Sequence, residues 1–175
     1  MRIYTIGHST RTTDELALLL KQCGVQRLAD IRRYPGSRRL PHFSRERLEA
    51  DLQEHGIAYV HVPELGGRRT AAPSSPNGAW DSDQFRGYAD HMGTDEFRSA
   101  VDRLLDSTLV TALMCAEAVP WRCHRNLLSD DLVRRGVEVV HILGPGKRSR
   151  HELNPMARLL DDRVIYPPEQ GSLAF

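Results

Sequence analysis

The chain has 175 residues, of which 40% are hydrophobic and 27% charged, a composition typical of one folded domain. No apolar run approaches the ~18 residues of a membrane-spanning helix, and the N-terminus lacks the apolar stretch of a signal peptide. The 3 cysteines argue against a disulfide framework and for a reducing compartment, so we expect a cytoplasmic protein without membrane contact. The net charge of +1 excludes a global electrostatic field that would attract nucleic acid.

Strand-like and helix-like segments alternate along the chain. The first predicted helix begins at Thr12, which forms a capping box with Glu15, and ends before Gly24. The predicted strands cover residues 3–7, 25–31, 57–62, 109–115 and 137–143, with an edge strand at 164–166. The further predicted helices cover residues 44–55, 83–92, 95–106 and 124–135, with a short helical stretch at 155–160. Segment 66–79 is too rich in Pro, Gly and Ser for a regular element.

This order of elements predicts an α/β fold. We expect a single-domain three-layer sandwich, with helices on both faces of a mainly parallel sheet and room for an antiparallel C-terminal edge strand. The domain should span residues 1–175, with a mobile loop at 70–80 that could act as a lid and a C-terminal extension at 144–175. Because such sheets bind ligands outside the carboxyl ends of their strands, the candidate site residues should follow the strands directly.

Reactive and cationic side chains follow four of the predicted strands. The first strand is followed by His8 and Ser9, and the second by Asp30, Arg32 and Ser37. The third strand is followed by Gly66, Gly67 and Arg68, and the fourth by Cys115, Glu117, Cys123, His124 and Arg125. We expect these residues to share one pocket at the edge of the sheet.

Several short motifs resemble the pattern of the domain-of-unknown-function 488 family. They are Tyr4–Ser9, Asp30–Arg32 with Pro35 and Ser37, Leu65–Gly67, Phe85–Ala89, Cys115–Glu117 and Cys123–Arg125. The resemblance covers nearly the whole chain and implies the fold and the position of the site. The family carries no established reaction, so the resemblance implies no activity.

The two cysteines that follow the fourth predicted strand are the most reactive candidates. Cys123 precedes a predicted helix beside His124, so the helix dipole and its cationic neighbours should lower the pKa of its thiol. Such a thiolate is a nucleophile, with Glu117 or His124 available to move protons. Cys115 is equally well interpreted as a small buried residue that ends a core strand.

The other candidates also have a structural interpretation. His8 is either a general base or a hydrogen-bonded structural histidine. Glu117 either moves protons or pairs with an arginine, because an unpaired carboxylate near a buried strand would be costly. Asp30 either belongs to the site or only orients Arg32. We predict that Arg32, Arg68 and Arg125 bind an anion together with the helix N-terminus near His124.

Three classes of function remain open. The first is Cys-dependent transfer or hydrolysis on a phosphate- or nucleotide-like anion, for which rhodanese-like and Cys-phosphatase folds are an architectural analogy. Their short Cys-to-Arg loop is not reproduced, because Trp121 stands where an arginine is needed and Pro120 lacks an amide donor.

The second class is a non-catalytic nucleotide- or nucleic-acid-binding module. The arginine-rich stretch 32–47 favours it, whereas the low net charge and the lack of an aromatic platform argue against it. The third class is a metal-binding protein with Cys and His ligands, but the sequence has no Cys-x2-Cys pair and we assign no metal ligand. Neither a Walker loop nor a Gly-x-Gly-x-x-Gly motif is present, so no cofactor is predicted.

Overall fold

The computed structural model of the protein describes residues 1–36 and 39–169. The strands are β1 (Arg2–Gly7), β2 (Arg27–Asp30), β3 (Ala58–His61), β4 (Thr111–Cys115), β5 (Glu138–Gly144), β6 (Lys147–Arg150), β7 (Arg158–Leu159) and β8 (Val164–Ile165). The α-helices are α1 (Thr13–Lys21), α2 (Arg45–Glu54), α3 (Asp83–Met92), α4 (Asp95–Leu105) and α5 (Arg125–Arg134). Short 3-10 turns occur at Pro41–Phe43, Pro63–Leu65 and Pro120–Arg122.

The main sheet has six strands in the order β3-β2-β4-β1-β5-β6, and only β6 runs antiparallel to its neighbour. The predicted α/β class is therefore confirmed. The capping box at the start of α1 is also present, because the Thr12 hydroxyl accepts from the amide of Glu15 and the Glu15 carboxylate accepts from the amide of Thr12. Among the described residues, no helix is long and apolar enough to cross a membrane.

Alternating side chains of the strands build a core on each face of the sheet. On one face, Tyr4 and Ile6 of β1 pack with Leu16 and Leu20 of α1 and with Leu48 of α2. The other face holds a second core, which contains Ile3, Leu113, Tyr88, Phe97 and Leu127 from β1, β4, α3, α4 and α5. Helices thus cover both faces, as the three-layer prediction requires.

The C-terminal segment differs from the sequence prediction. The helix predicted at 155–160 is wrong: residues 158 and 159 form β7, which pairs antiparallel with β8 in a separate two-stranded sheet. A six-residue stretch is too short to be stable as a helix on its own, and a strand partner is available across the turn. The antiparallel edge strand of the main sheet is instead β6, whose exposed residues show no apolar alternation.

Segment 70–80 has no helix or strand, and a single carboxylate holds much of it. Asp90 of α3 accepts hydrogen bonds from the Ala72 amide, the Ser75 hydroxyl and the Asn77 side chain, at 2.8, 2.6 and 2.8 Å. The Asn77 side-chain oxygen in turn accepts from the amide of Tyr166 at 2.8 Å. The segment predicted to be mobile is therefore tied to α3 and to the C-terminal extension.

The loops after β1 and β4 lie against each other at the carboxyl edge of the sheet. The His8 and Ser9 amides donate to the carbonyls of Cys115 and Ala116, at 2.9 and 3.0 Å. A side chain at Gly7 is impossible here, because its Cβ would lie 1.8 Å from the carbonyl oxygen of Glu117. Glycine at this position lets the cysteine loop fold back over the end of β1.

Candidate functional site

A cavity of about 740 Å³ opens at the carboxyl edge of the sheet. Most of the residues singled out in the sequence line it: His8, Ser9, Arg32, Gly67, Arg68, Cys115, Glu117, Cys123 and His124. Asp30, Gly66 and Arg125 do not line the cavity, and each contacts a residue that does. Ser37 lies outside the described residues. Strand ends that are far apart in sequence thus meet around one space, as the parallel sheet predicts.

The two cysteines of the cavity are in direct contact. Their Sγ atoms lie 2.9 Å apart, and both residues are buried, with 2% of Cys115 and 5% of Cys123 exposed. The Sγ of Cys115 also lies 3.7 Å from the carbonyl oxygen of Glu117. Burial and the neighbouring Cys123 sulfur raise the pKa of Cys115 well above its ordinary value. Cys115 is therefore the thiol that donates its proton within the pair.

Cys123 has the environment of a thiolate. Burial opposes its ionisation, but the hydrogen bond from Cys115 and the nearby His124 and Arg125 outweigh burial and lower the pKa of Cys123 well below its ordinary value. The Nδ1 atom of His124 and the amide nitrogen of Arg125 each lie 3.5 Å from its Sγ. Since that amide belongs to the first residue of α5, the sulfur sits at the positive end of the helix dipole.

Arg125 is the largest fully buried side chain of the protein's described part, and no carboxylate pairs with it there. One of its terminal nitrogens donates to the carbonyl of Glu117 at 2.5 Å, which fixes the loop between the cysteines. Its Nε has no hydrogen-bond partner among the described residues. A buried cation of this kind needs a nearby anion, and a Cys123 thiolate supplies one.

A chain of hydrogen bonds links Arg125 to a buried aspartate beneath the cavity. Arg125 contacts Thr5 at 3.4 Å, Thr5 contacts His141 at 2.7 Å, His141 contacts His151 at 3.0 Å, and His151 contacts Asp130 at 2.8 Å. Burial, His151 and Arg125 lower the pKa of His141 to about 3, so its ring is neutral. Each group can donate a hydrogen bond to the next one in the direction of Asp130, so that every contact of the chain has one donor and one acceptor. The chain then joins the buried Arg125 cation to the buried Asp130 anion.

Asp30 anchors Arg32 on the opposite side of the cavity. The carboxylate of Asp30 accepts from Nε and from one terminal nitrogen of Arg32, at 2.9 and 2.5 Å, and from the Tyr59 hydroxyl at 2.8 Å. The other terminal nitrogen of Arg32 donates to the carbonyl of Phe43 at 2.9 Å. Because Asp30 neutralises most of the charge of Arg32, this arginine contributes shape and hydrogen bonding more than free charge.

His8 is held as a neutral imidazole. Its ring stacks on Phe43, with centroids 4.1 Å apart, and its Nδ1 lies 2.9 Å from the carbonyl oxygen of Ser9. Burial lowers the pKa of His8 to about 4, with a smaller contribution from Arg32 that exceeds the opposing influence of Asp30. With a proton on Nδ1, the Nε2 lone pair points toward Arg32 at 3.4 Å. The Nε2 atom of His8 is therefore a weak base at the cavity wall.

Glu117 does not form the arginine pair that the sequence suggested. Its side chain is exposed, and its carboxylate accepts only from the amide of Ala118, at 3.0 Å, among the contacts of the described residues. Arg125 binds the carbonyl of Glu117 instead. The predicted arginine pair is wrong because the chain turns outward directly after Cys115, so the carboxylate of Glu117 is exposed to solvent and needs no ion partner.

The loop that contains Gly66 and Gly67 is pressed against the other loops of the site. A Cβ on Gly66 would lie 2.8 Å from the backbone nitrogen of Arg33, and a Cβ on Gly67 would lie 2.9 Å from Nδ1 of His124. Arg68 has a positive φ of 59°, and Ser9, another residue of the cavity wall, has one of 49°. Apart from glycines, these are the only residues of the described chain with positive φ. Backbone strain is thus concentrated at the cavity.

Several cavity residues were not predicted as site residues from the sequence. They are Thr10, Arg33, Tyr34, Gly36, Leu40, Ser82, Gln84, Phe85, Ala116, Ala118 and Arg122. Arg33, Tyr34 and Gly36 belong to the arginine-rich loop after β2, where the sequence offers no signal that ranks one residue above another. Ser82, Gln84 and Phe85 come from the start of α3, which only the folded chain brings to this edge.

The cysteines and histidines of the site do not form a metal centre of the usual kind. Nowhere in residues 1–36 and 39–169 do three or more His, Cys, Asp or Glu side chains converge in a way that could hold a metal ion. The geometry brings together a sulfur pair, a histidine and several guanidinium groups. This arrangement can support nucleophilic chemistry on an anion.

Comparison with known proteins shows the family of this chain. No match was found among curated proteins or among solved structures. The family model "Domain of unknown function DUF488" matches residues 12–132, which is more than half of the chain. The matched region includes β2, β3, β4 and most of α5, and therefore both cysteines of the cavity. The chain belongs to the DUF488 family.

Proposed function

We propose that the protein is an enzyme in which Cys123 attacks a small anionic substrate, in a group-transfer or hydrolysis reaction. The observation that carries this proposal is the polarised sulfur pair in the cavity wall. The Sγ atoms of Cys115 and Cys123 lie 2.9 Å apart, and Nδ1 of His124 and the amide nitrogen of Arg125 each lie 3.5 Å from the Sγ of Cys123. A buried thiolate beside a buried arginine is an activated nucleophile.

The charges of the cavity wall favour an anion. Arg33, Arg68 and Arg122 line the cavity, and Glu117 is the only carboxylate among its described lining residues. No ion pair involves these three arginines in the described part of the chain, so their charge is available to a ligand. Phosphate- and nucleotide-like groups are the substrate class that fits best. A reducing compartment such as the cytoplasm would keep the thiolate available.

The nucleophile is tested by the rate of iodoacetamide alkylation as a function of pH. Fast alkylation of Cys123 at neutral pH, with a midpoint well below the ~8.5 of a free thiol, supports the proposal. The reaction should vanish in Cys123→Ser and persist in Cys23→Ser, because Cys23 lies on α1's side of the sheet, away from the cavity. Slow alkylation with an ordinary midpoint would leave the cavity as a binding site only.

The same experiment with a chelator tests the competing metal function. Cysteines blocked by a bound ion would react only after chelation, and that outcome would replace the nucleophile by a metal site. Equal rates with and without chelator are expected.

Anion binding is tested separately by thermal shift with phosphate, sulfate and nucleoside monophosphates. Arg68→Ala should lose most of the stabilisation by these ligands, whereas Arg148→Ala, on the exposed edge strand β6, should keep it. Equal stabilisation of both variants would show that the anions bind elsewhere.

A further inference from the structure

The contact between the two cysteines has a consequence beyond nucleophilic attack. A disulfide bond requires sulfurs about 2.05 Å apart, so closing the 2.9 Å gap moves them by less than ~1 Å. Both ends of the pair are already fixed. Cys115 ends β4, where its carbonyl accepts from the amide of His8 at 2.9 Å, and the amide of Cys123 donates to the carbonyl of Pro120 at 2.9 Å. The loop between them is held by Arg125 at Glu117.

We propose that Cys115 and Cys123 form a redox-active dithiol that is oxidised reversibly to an intramolecular disulfide by a small peroxide entering the cavity. The proposal shares the Cys123 nucleophile with the proposed function and adds a second, electron-transferring role for Cys115. Both residues line the cavity, which gives a small oxidant access to the pair.

The oxidation balances in two steps. In the first step, the Cys123 thiolate attacks one oxygen of hydrogen peroxide: a sulfur–oxygen bond forms, the oxygen–oxygen bond breaks, and the departing hydroxide takes the proton of the Cys115 thiol to become water. In the second step, the resulting Cys115 thiolate attacks the sulfenic sulfur of Cys123; the disulfide forms, and hydroxide leaves and is protonated by solvent. The two sulfurs lose two electrons and the peroxide gains them.

The surroundings favour return to the reduced state. The reduced pair carries a thiolate at the N-terminus of α5, 3.5 Å from the amide of Arg125, whereas the neutral disulfide loses this interaction with the helix dipole. Interactions that stabilise the reduced form make a disulfide a stronger oxidant. Two small thiols therefore suffice to regenerate the dithiol. The first thiol forms a mixed disulfide with one cysteine and frees the other cysteine. The second thiol attacks this mixed disulfide, frees the remaining cysteine and leaves as a disulfide of the two small thiols.

The experiment uses the chain of 175 residues, reduced and then freed of reductant. Hydrogen peroxide is added, the remaining thiols are blocked by alkylation, and the denatured chain is digested with trypsin without reductant. Trypsin cleaves after Arg122, so the pair should appear as peptide 104–122 joined to peptide 123–125. Free thiols should fall from 3 to one, and added dithiothreitol should restore them.

Variants separate this proposal from the previous one. In Cys115→Ser, peroxide should give a sulfenic acid on Cys123 that dimedone traps, and no joined peptides should form. Cys23→Ser should form the disulfide as the wild type does. Fast alkylation of wild-type Cys123 without any joined peptides, or crosslinks that need Cys23, would overturn the dithiol and leave the nucleophile intact. Slow alkylation would refute the nucleophile, whatever the disulfide result.

Discussion

Replacing Tyr166 by phenylalanine tests whether Asp130 is a buried anion that depends on its donors. The Tyr166 hydroxyl donates to one carboxylate oxygen of Asp130 at 2.6 Å, while His151 and the Asn154 amide donate to the other at 2.8 and 3.0 Å. Burial and the charge of Asp130 raise the pKa of Tyr166 far above its ordinary value, so the hydroxyl stays a donor. Tyr166→Phe deletes this donor and keeps the ring that packs on Trp80.

The expected cost follows from the partners. A hydrogen bond to a charged group is worth about 1.5–3 kcal/mol, and both Asp130 and Tyr166 have no exposed surface. For a chain of this length, that range corresponds to a melting temperature lower by roughly 3–12 °C. Thermal and urea unfolding would measure it. The matched control is Tyr34→Phe, because Tyr34 is 64% exposed and its change should leave the free energy of unfolding the same within about 0.5 kcal/mol.

Equal stability of the two variants would refute the reasoning. It would mean that Asp130 does not need the tyrosine, either because its carboxyl group is protonated or because water replaces the donor. The hydrogen-bonded chain from Asp130 to Arg125 would then lack an anion at its far end.

Two further outcomes are expected. Gly67→Ala should displace the His124 ring, because the added methyl would lie 2.9 Å from its Nδ1. The pKa of Cys123 should then rise. At a pH below this pKa, each unit of the rise lowers the thiolate fraction, and with it the alkylation rate, about tenfold. Gly36→Ala, in open space at the same cavity, should not change the rate, and equal rates for both variants would contradict a role of the histidine. Lowering the pH from 6.5 toward 4 should reduce the free energy of unfolding, because His8 and His141, with pKa values of about 4 and about 3, stay neutral in the folded state while the unfolded chain binds their protons. Denaturant titrations at several pH values should show a smaller pH dependence in His8→Gln; an unchanged dependence would argue against the lowered pKa of this histidine.

The position of the site could be predicted because it follows from strand direction alone. Parallel strands bring their carboxyl ends to one edge, so His8, Gly67 and Cys123 were expected to meet although they are far apart in sequence. Their burial and partners do not follow from that rule. Whether Glu117 faces solvent depends on how the loop after β4 turns, and neither strand periodicity nor residue type determines that turn.

The buried chain under the cavity could not be predicted from local patterns. Thr5 and His141 occupy buried strand positions where an apolar residue is usual, and Asp130 is fully buried on α5. Each would be unfavourable alone, and only their mutual hydrogen bonds make them acceptable. Such partners come from distant parts of the chain, so no short sequence window contains the signal. Strand β6 was missed for a related reason, because its exposed cationic residues carry no core-facing side.

The partners of Asp130 also determine where this chain can be shortened. The family match ends at residue 132, yet His151, Asn154 and Tyr166 lie beyond it and supply the donors to that carboxylate. A fragment cut at the end of the match would also lose β5, the neighbour of β1 in the sheet. Its buried Asp130 would lose these donors, and the hydrogen-bonded chain to Arg125 would lose His141 and His151. A fragment for expression or crystallisation should therefore extend at least through Tyr166, which lies 34 residues beyond the end of the family match.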